Sequence, residues 1–361
     1  MIGIRGVPAR AGGAERVVHE LSRELTARGD EVLIYCRPHY VAGTRAEGIG
    51  RRIMTPGLTG KHTETLTHTF TAMIDVLRRK ADVVHIHSPG PALWSWIAAA
   101  AKLPTVVTIH APDWNRERWS LPGRVALAAG LAAAMRLADV VTAVSSELAD
   151  ELSHRFGRPV HFVPNAVRLP APPAGSLPPW GLTSEGYGLY VGRIVPEKRL
   201  DLLIRAWRQS GRPEPLVVVG TEDEKAYARA CHRLAGRNVR FAGMQFGQVL
   251  TDLYAHAAVV VQPSVLEGMS LVLLEAASHG RCILASDIAA NRGTMAQAAL
   301  YFSKDSFGGL TGQIRRCFEE AAMRESMGRS AEKLVQERYS WQVVSSRMRQ
   351  LYDQAIRRRA R

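Results

Sequence analysis

Apolar residues recur along this chain in two alternating rhythms. Short runs of consecutive aliphatic residues, bounded by Gly, Pro or polar side chains, alternate with longer stretches whose apolar positions fall three and four apart. The first rhythm belongs to strands buried on both faces, the second to amphipathic helices. Residues 1–7 hold a very short strand. Residues 14–28 form a helix with Val17, Val18, Leu21 and Leu25 on one side and Gly29 as its stop, and residues 31–36 form a strand. Strands follow at 51–54, 82–87, 105–110 and 139–144, with helices at 65–80, 91–102, 124–137 and 145–156, the last opened by Ser145-Ser146-Glu147. Strand, Gly-rich turn, helix, strand is the opening of a doubly wound α/β domain with a parallel sheet and right-handed crossovers. The short first strand leaves two expectations: an abbreviated sheet edge, or a start placed too late.

The rhythm breaks over residues 166–187, where Pro170, Pro172, Pro173, Pro178 and Pro179 can continue neither a helix nor a central strand. It then resumes. Strands are expected at 187–191, 215–220, 239–242, 259–261 and 283–286, helices at 200–209, 222–235 and 306–336, and a final helix after Tyr339-Ser340-Trp341. The organisation that follows is an N-terminal domain over 1–168, a linker over 169–186, a C-terminal domain over 187–340 and a terminal helix over 341–361. A chain of 361 residues suits two such domains.

Composition narrows the class. At 46% hydrophobic and 22% charged residues the chain reads as soluble and globular. Cys36, Cys231, Cys282 and Cys317 lack metal or redox spacing and suit a reducing cytoplasm. No run approaches the roughly 18 apolar residues of a membrane span, and no signal-peptide pattern opens the chain. The formal charge of +14 allows a peripheral contact with an anionic inner membrane face. It is spread along the chain without a nucleic-acid-binding module, so a nucleic-acid partner is not expected. The tight clusters at 78–80 and 357–359 read as solvated faces.

Candidate chemistry gathers at the predicted strand ends. Residues 263–280 leave a buried strand, pass a Glu-Gly turn and enter a helix carrying Leu271, Leu274 and Ala277 on one face. A helix leaves its first N–H donors unpaired at a positive dipole end, so the backbone of Gly268, Met269, Ser270 and Leu271 suits an anion such as phosphate. Glu267 and Glu275 flank those donors and could accept bonds from sugar hydroxyls; Glu275 falls inside an apolar stripe, a costly place for an idle charge. Arg193 and Lys198, in the loop that begins at Gly192, could pair with a diphosphate, although such loop cations are often just exposed. In the first half, Gly12-Gly13 before a helix lets backbone approach a phosphate or a sugar, or simply makes a tight turn. It is not the dinucleotide fingerprint, which disfavours a nicotinamide cofactor. His87 and His110 end neighbouring strands at the edge where open α/β sheets place ligands, and Asp113 and Trp114 extend the second of these loops.

Taken in order, these motifs resemble those of the retaining GT-B-fold glycosyltransferases of family 4: Gly12-Gly13, Thr108-Ile109-His110 with Asp113-Trp114, Pro164-Asn165, Gly192-Arg193 with Glu197-Lys198, Glu267 with Glu275, and the Tyr-Ser-Trp helix. The resemblance spans nearly the whole chain. It implies two Rossmann-like domains facing a cleft, nucleotide bound mainly by the second, acceptor mainly by the first, and a last helix crossing back to the first. Arg193 and Lys198 would bind the donor diphosphate, Glu267 the sugar and Glu275 the ribose. Gly13 would lie against diphosphate or acceptor, and His110 at the reacting face of the sugar. Gly12, His87, Asp113 and Trp114 fall on the acceptor side. The implied reaction is retaining transfer from a nucleotide-diphosphate sugar (UDP favoured, GDP or dTDP as alternatives) to a hydroxyl of a glycan, lipid-linked or small-molecule acceptor, without metal or other cofactor. A sugar-nucleotide epimerase or hydrolase of like architecture is the alternative. Ala111-Pro112 stands where the family often has Gly, which alters the acceptor loop.

Overall fold

The computed structural model describes residues 1–8, 12–41, 48–60, 63–112, 114, 120–170, 177–178 and 180–360. Contacts divide the chain into two units, Met1–Ala166 with Trp341–Arg361, and Val167–Ser340.

The first unit carries strands β1 (Leu33–Cys36), β2 (Arg51–Met54), β3 (Val84–His87), β4 (Thr105–Ile109), β5 (Val140–Ala143) and β6 (His161–Phe162). β1 pairs with β2, and β3 to β6 form a second run, all parallel. The opening residues join the two runs. Ile2 N–H donates to His85 O and His87 N–H to Ile2 O, both at 2.9 Å, while Tyr35 N–H donates to Met1 O at 3.0 Å. The short first strand therefore lies in the middle of the sheet, not at an edge, and strand order reverses around it. It is short because the chain turns at Gly3, where φ is +101° and an added Cβ would lie 2.4 Å from His87 O. Both faces are covered, as the unbroken apolar strands require. One face of the sheet packs Ile86, Val107, Ile109 and Val141 with Met73 and Leu131. The other packs Ile34, Val106 and Val140 under the predicted stripe Val18, Leu21 and Leu25 and under Trp341, Val344, Met348 and Leu351 of the terminal helix. The terminal arginines are only partly a solvated face. Arg357 and Arg358 are exposed, although Arg358 Nη1 donates to Asp139 O at 2.7 Å, while Arg359 is half-buried, 3.6 Å from the Asp139 carboxylate.

The second unit is a six-stranded parallel sheet of β7 (Gly188–Val191), β8 (Leu216–Val219), β9 (Val239–Gly243), β10 (Val259–Gln262), β11 (Cys282–Ser286) and β12 (Leu300–Phe302), in the order β12-β11-β10-β7-β8-β9. Order reverses between β7 and β10, which makes the loops after those two strands the expected ligand position. The single helix expected over 306–336 is two, Phe307–Glu319 and Ala321–Arg338, because Glu320 leaves the helical region at φ −109°, ψ 77°. The helix expected over 91–102 is likewise two short ones, Pro89–Ala92 and Ser95–Ala100. The proline-rich residues 171–176 and 179 of the expected linker lie outside the described residues, while Val167 pairs with Ser340 within the second unit. All four cysteines are free and buried. Among the described residues no helix is long and apolar enough to cross a membrane.

Candidate active site

In the second unit the loops after β7 and β10 meet at the order reversal. Val265 N–H donates to Glu197 O at 2.9 Å, tying the two loops together. Lys198 closes the 3-10 turn Pro196–Lys198 and forms an ion pair with Glu267. Gln262, the last residue of β10, donates from Nε2 to the same carboxylate at 2.5 Å and to Ser264 Oγ at 2.8 Å. Burial alone would raise the Glu267 pKa. The Lys198 charge and the hydrogen bonds from Lys198, Ser264 and Gln262 outweigh it and hold the carboxyl below the usual range. Arg193 lies 3.5 Å from both Glu197 and Asp223, and Tyr190 OH donates to its carbonyl at 3.0 Å. Each cation is thus already paired with a carboxylate, and a diphosphate arriving there would share that pairing.

The helix after Glu267 begins at Leu271, with Ser270 as its N-cap. Gly268, Met269 and Ser270 form its buried approach. The first bond made by the helix is Leu274 N–H to Ser270 O, at 3.5 Å. Glu275 is 7% exposed, which agrees with its place in an apolar stripe, and Tyr254 OH donates to its Oε2 at 2.8 Å. Gln262 and Tyr254 escaped the sequence reading. A polar residue ending an apolar strand could have pointed to Gln262; nothing local marks Tyr254, which reaches Glu275 only through the packing of the helix Gly247–His256.

In the first unit His87 and His110 come together, His87 Nδ1 lying 3.0 Å from His110 Nε2. Burial pushes both imidazoles down, His110 to about 4. The Gly12-Gly13 turn lies against its own neighbours: at Gly12, where φ is +98°, an added Cβ would fall 2.2 Å from Glu15 Oε2 and 2.6 Å from Arg5 Nη2. Those two side chains form an ion pair at 2.7 Å, and neither was foreseen. Gly13 starts the helix Gly13–Ala27. Trp114 is half-buried and packs against the apolar core of the first unit, and Asp113 lies outside the described residues.

Residues 11–169 match the family described as Glycosyltransferase Family 4, and residues 186–320 match Glycosyl transferases group 1. The chain belongs to the family 4, group 1 glycosyltransferases. This glycosyltransferase is 25% identical to a glycogen synthase of Mycobacterium tuberculosis, over 97% of its own length and 93% of the relative's. Its fold is GT-B. Sucrose-phosphate synthase from Thermosynechococcus elongatus superposes with a TM-score of 0.82 at 22% identity, covering 98% of the glycosyltransferase and 97% of the synthase. HepE of Anabaena, solved in complex with UDP-glucose, gives 0.77 at 16% identity, with 95% and 96% covered.

Proposed function

We propose that the chain moves a sugar from a nucleotide-diphosphate sugar to an acceptor hydroxyl with retention of anomeric configuration and without a metal ion. The observation that carries this reading is the Lys198–Glu267 pair beside Arg193, on two linked loops at the order reversal of the second sheet. Fixed cations there favour the negative charge that grows on a departing diphosphate. Glu267 would meet sugar hydroxyls, Glu275 the ribose, and the backbone of residues 268–271 the phosphates. His110 would face the reacting sugar and Gly13 would lie against the diphosphate or the acceptor, with Gly12, His87, Asp113 and Trp114 on the acceptor side. In the reaction the acceptor oxygen bonds to the anomeric carbon, the bond from that carbon to the β-phosphate oxygen breaks, and this oxygen takes the acceptor proton.

UDP is the favoured nucleotide, supported by the UDP-glucose held by HepE; GDP and dTDP sugars are the alternatives. The acceptor is a glycan, a lipid-linked saccharide or a small molecule, and the cytoplasm, with contact to an anionic membrane face, is the proposed location. A thermal-shift screen with UDP-glucose, GDP-mannose and dTDP-glucose should raise the melting point with one of them. Turnover of that donor in excess EDTA, with proton NMR of the anomeric centre, is expected to give unchanged rate and retained configuration. An inverted product, or activity abolished by EDTA, would overturn the corresponding part.

A further inference from the structure

One face of the first unit's sheet carries a polar stripe where an apolar one would be expected. His85 and His87, two apart on β3, face the same way, and the register sets His87 beside Thr108 and Thr108 beside Thr142. His85 Nε2 lies 2.6 Å from Thr108 Oγ1, which lies 2.6 Å from Thr142 Oγ1, and His85 Nδ1 lies 2.8 Å from Tyr352 OH on the terminal helix. The His85 ring, pinned at both nitrogens, sits 4.0 Å from the His87 ring, centroid to centroid.

We infer that His87 fixes the tautomer and ring orientation of His110, so that His110 presents its Nδ1–H as a donor at the end of β4, with His85 and Tyr352 holding the His87 ring from the terminal-helix side. Proton accounting supports this. Burial keeps all three imidazoles neutral, and a neutral imidazole has a single N–H. His87 Nε2 is buried without a hydrogen-bond partner among the described residues. A proton there would be donated to nothing; at Nδ1 it is donated to His110 Nε2, 3.0 Å away. His110 must then carry its own proton at Nδ1. The reverse arrangement, His110 Nε2–H donating to His87, strands a buried N–H on His87, and orphaned buried N–H groups are rarer than under-used acceptors. A donor at Nδ1 suits a sugar hydroxyl oxygen. His87 is therefore a positioning residue, and its role rests on the proposed contact between His110 and the reacting sugar.

The test is two-bond proton–nitrogen NMR on the full chain labelled with 15N-histidine, with His110 assigned by its loss in His110→Gln. The inference expects Nδ1–H tautomers for both His87 and His110 in the wild type, and a mixed tautomer for His110 in His87→Phe. A wild-type His110 protonated at Nε2, or an unchanged tautomer in the variant, overturns it. His87→Asn places an amide donor where Nδ1 stood and is the second variant should the Phe variant fail to fold. With whichever of UDP-glucose and GDP-mannose turns over, kcat should fall about tenfold or more in His87→Phe, with the donor KM little changed, and recover most of that loss in His87→Asn. Equal activity of the two variants counts against positioning. A folded His110→Gln with full activity would instead remove His110 from the sugar site, while the NMR result would still decide the tautomer.

Discussion

At Glu267 one carboxylate holds Lys198 and, in the function proposed above, also meets a sugar. Replacing it with Gln separates the two roles. Glu267→Gln releases Lys198 from its ion pair and leaves the neighbouring Gln262 donor an amide oxygen to meet. Turnover should fall about 100-fold or more, while UDP affinity holds or tightens, because the cation is freed for phosphate. Titration calorimetry with UDP beside initial rates checks this; UDP binding that weakens in step with turnover would reduce Glu267 to a prop for Lys198. The pH behaviour separates the candidate residues of the two units. His85, His87 and His110 have folded pKa values below the unfolded value of about 6.5, so the unfolded chain binds protons first and their contribution declines as pH falls below that point, for His110 down to about 4. Glu267 is depressed from a carboxylate value of about 4.3, so its contribution is complete above that pH and lost only below it. Melting temperatures measured from pH 8 to pH 4 should fall progressively below about 6.5, and His110→Gln should make that slope shallower. Parallel curves for the two proteins would contradict the buried neutral imidazole.

Elements built from consecutive β-branched residues, such as Val259–Gln262 and Thr105–Ile109, were legible because such a run has few other uses. Their strand-end residues were legible too, which is why Arg193, Lys198, Glu267, His87 and His110 could be named from sequence. Other features leave no local mark. The bridge that Met1 and Ile2 make in the sheet exists only through bonds to residues more than 30 positions away, and no Gly or Pro marks the break at Glu320. The contacts Tyr254–Glu275 and His85–Tyr352 join residues far apart in sequence, so no spacing rule could find them. Gly220, just after β8, is a further case, since the sequence reads it only as the last residue of a strand. In the structure an added Cβ there would lie 1.8 Å from Gly192 O, backbone against backbone, directly behind the Arg193 loop. Gly220→Ala should therefore cost about 1–3 kcal/mol of stability and weaken UDP binding as the loop moves. Ser145→Ala is the matched control. It removes a side-chain cap on Leu148 N–H in the first unit, worth about 1 kcal/mol, and should leave UDP binding unchanged. Denaturant melts and calorimetry compare the pair, and equal effects on UDP would remove the loop argument.

At the scale of the whole chain, two repeats of the same doubly wound pattern were readable from rhythm alone, and the structure adds where each repeat closes. The second unit begins and ends side by side, with Val167 N–H donating to Tyr339 O at 3.0 Å and six strands around a core of its own. A fragment of residues 167–340 is therefore expected to fold cooperatively and to bind UDP, since the groups proposed to hold the nucleotide, Arg193, Lys198, Glu275 and residues 268–271, all lie within it, and to show no transfer. The first unit is different: its last 20-residue helix, Trp341–Ala360, comes from the far end of the chain. Trp341, Val344, Met348, Leu351 and Tyr352 are each buried on the sheet, at about 1.5–3 kcal/mol apiece, a total on the order of a domain's entire stability of about 5–15 kcal/mol. Residues 1–166 alone should thus be unfolded or aggregated, with His85 deprived of Tyr352, and a peptide of residues 341–360 added in trans should restore ordered structure by circular dichroism. A stable 1–166 fragment indifferent to the peptide would show that the helix covers this sheet without holding it together.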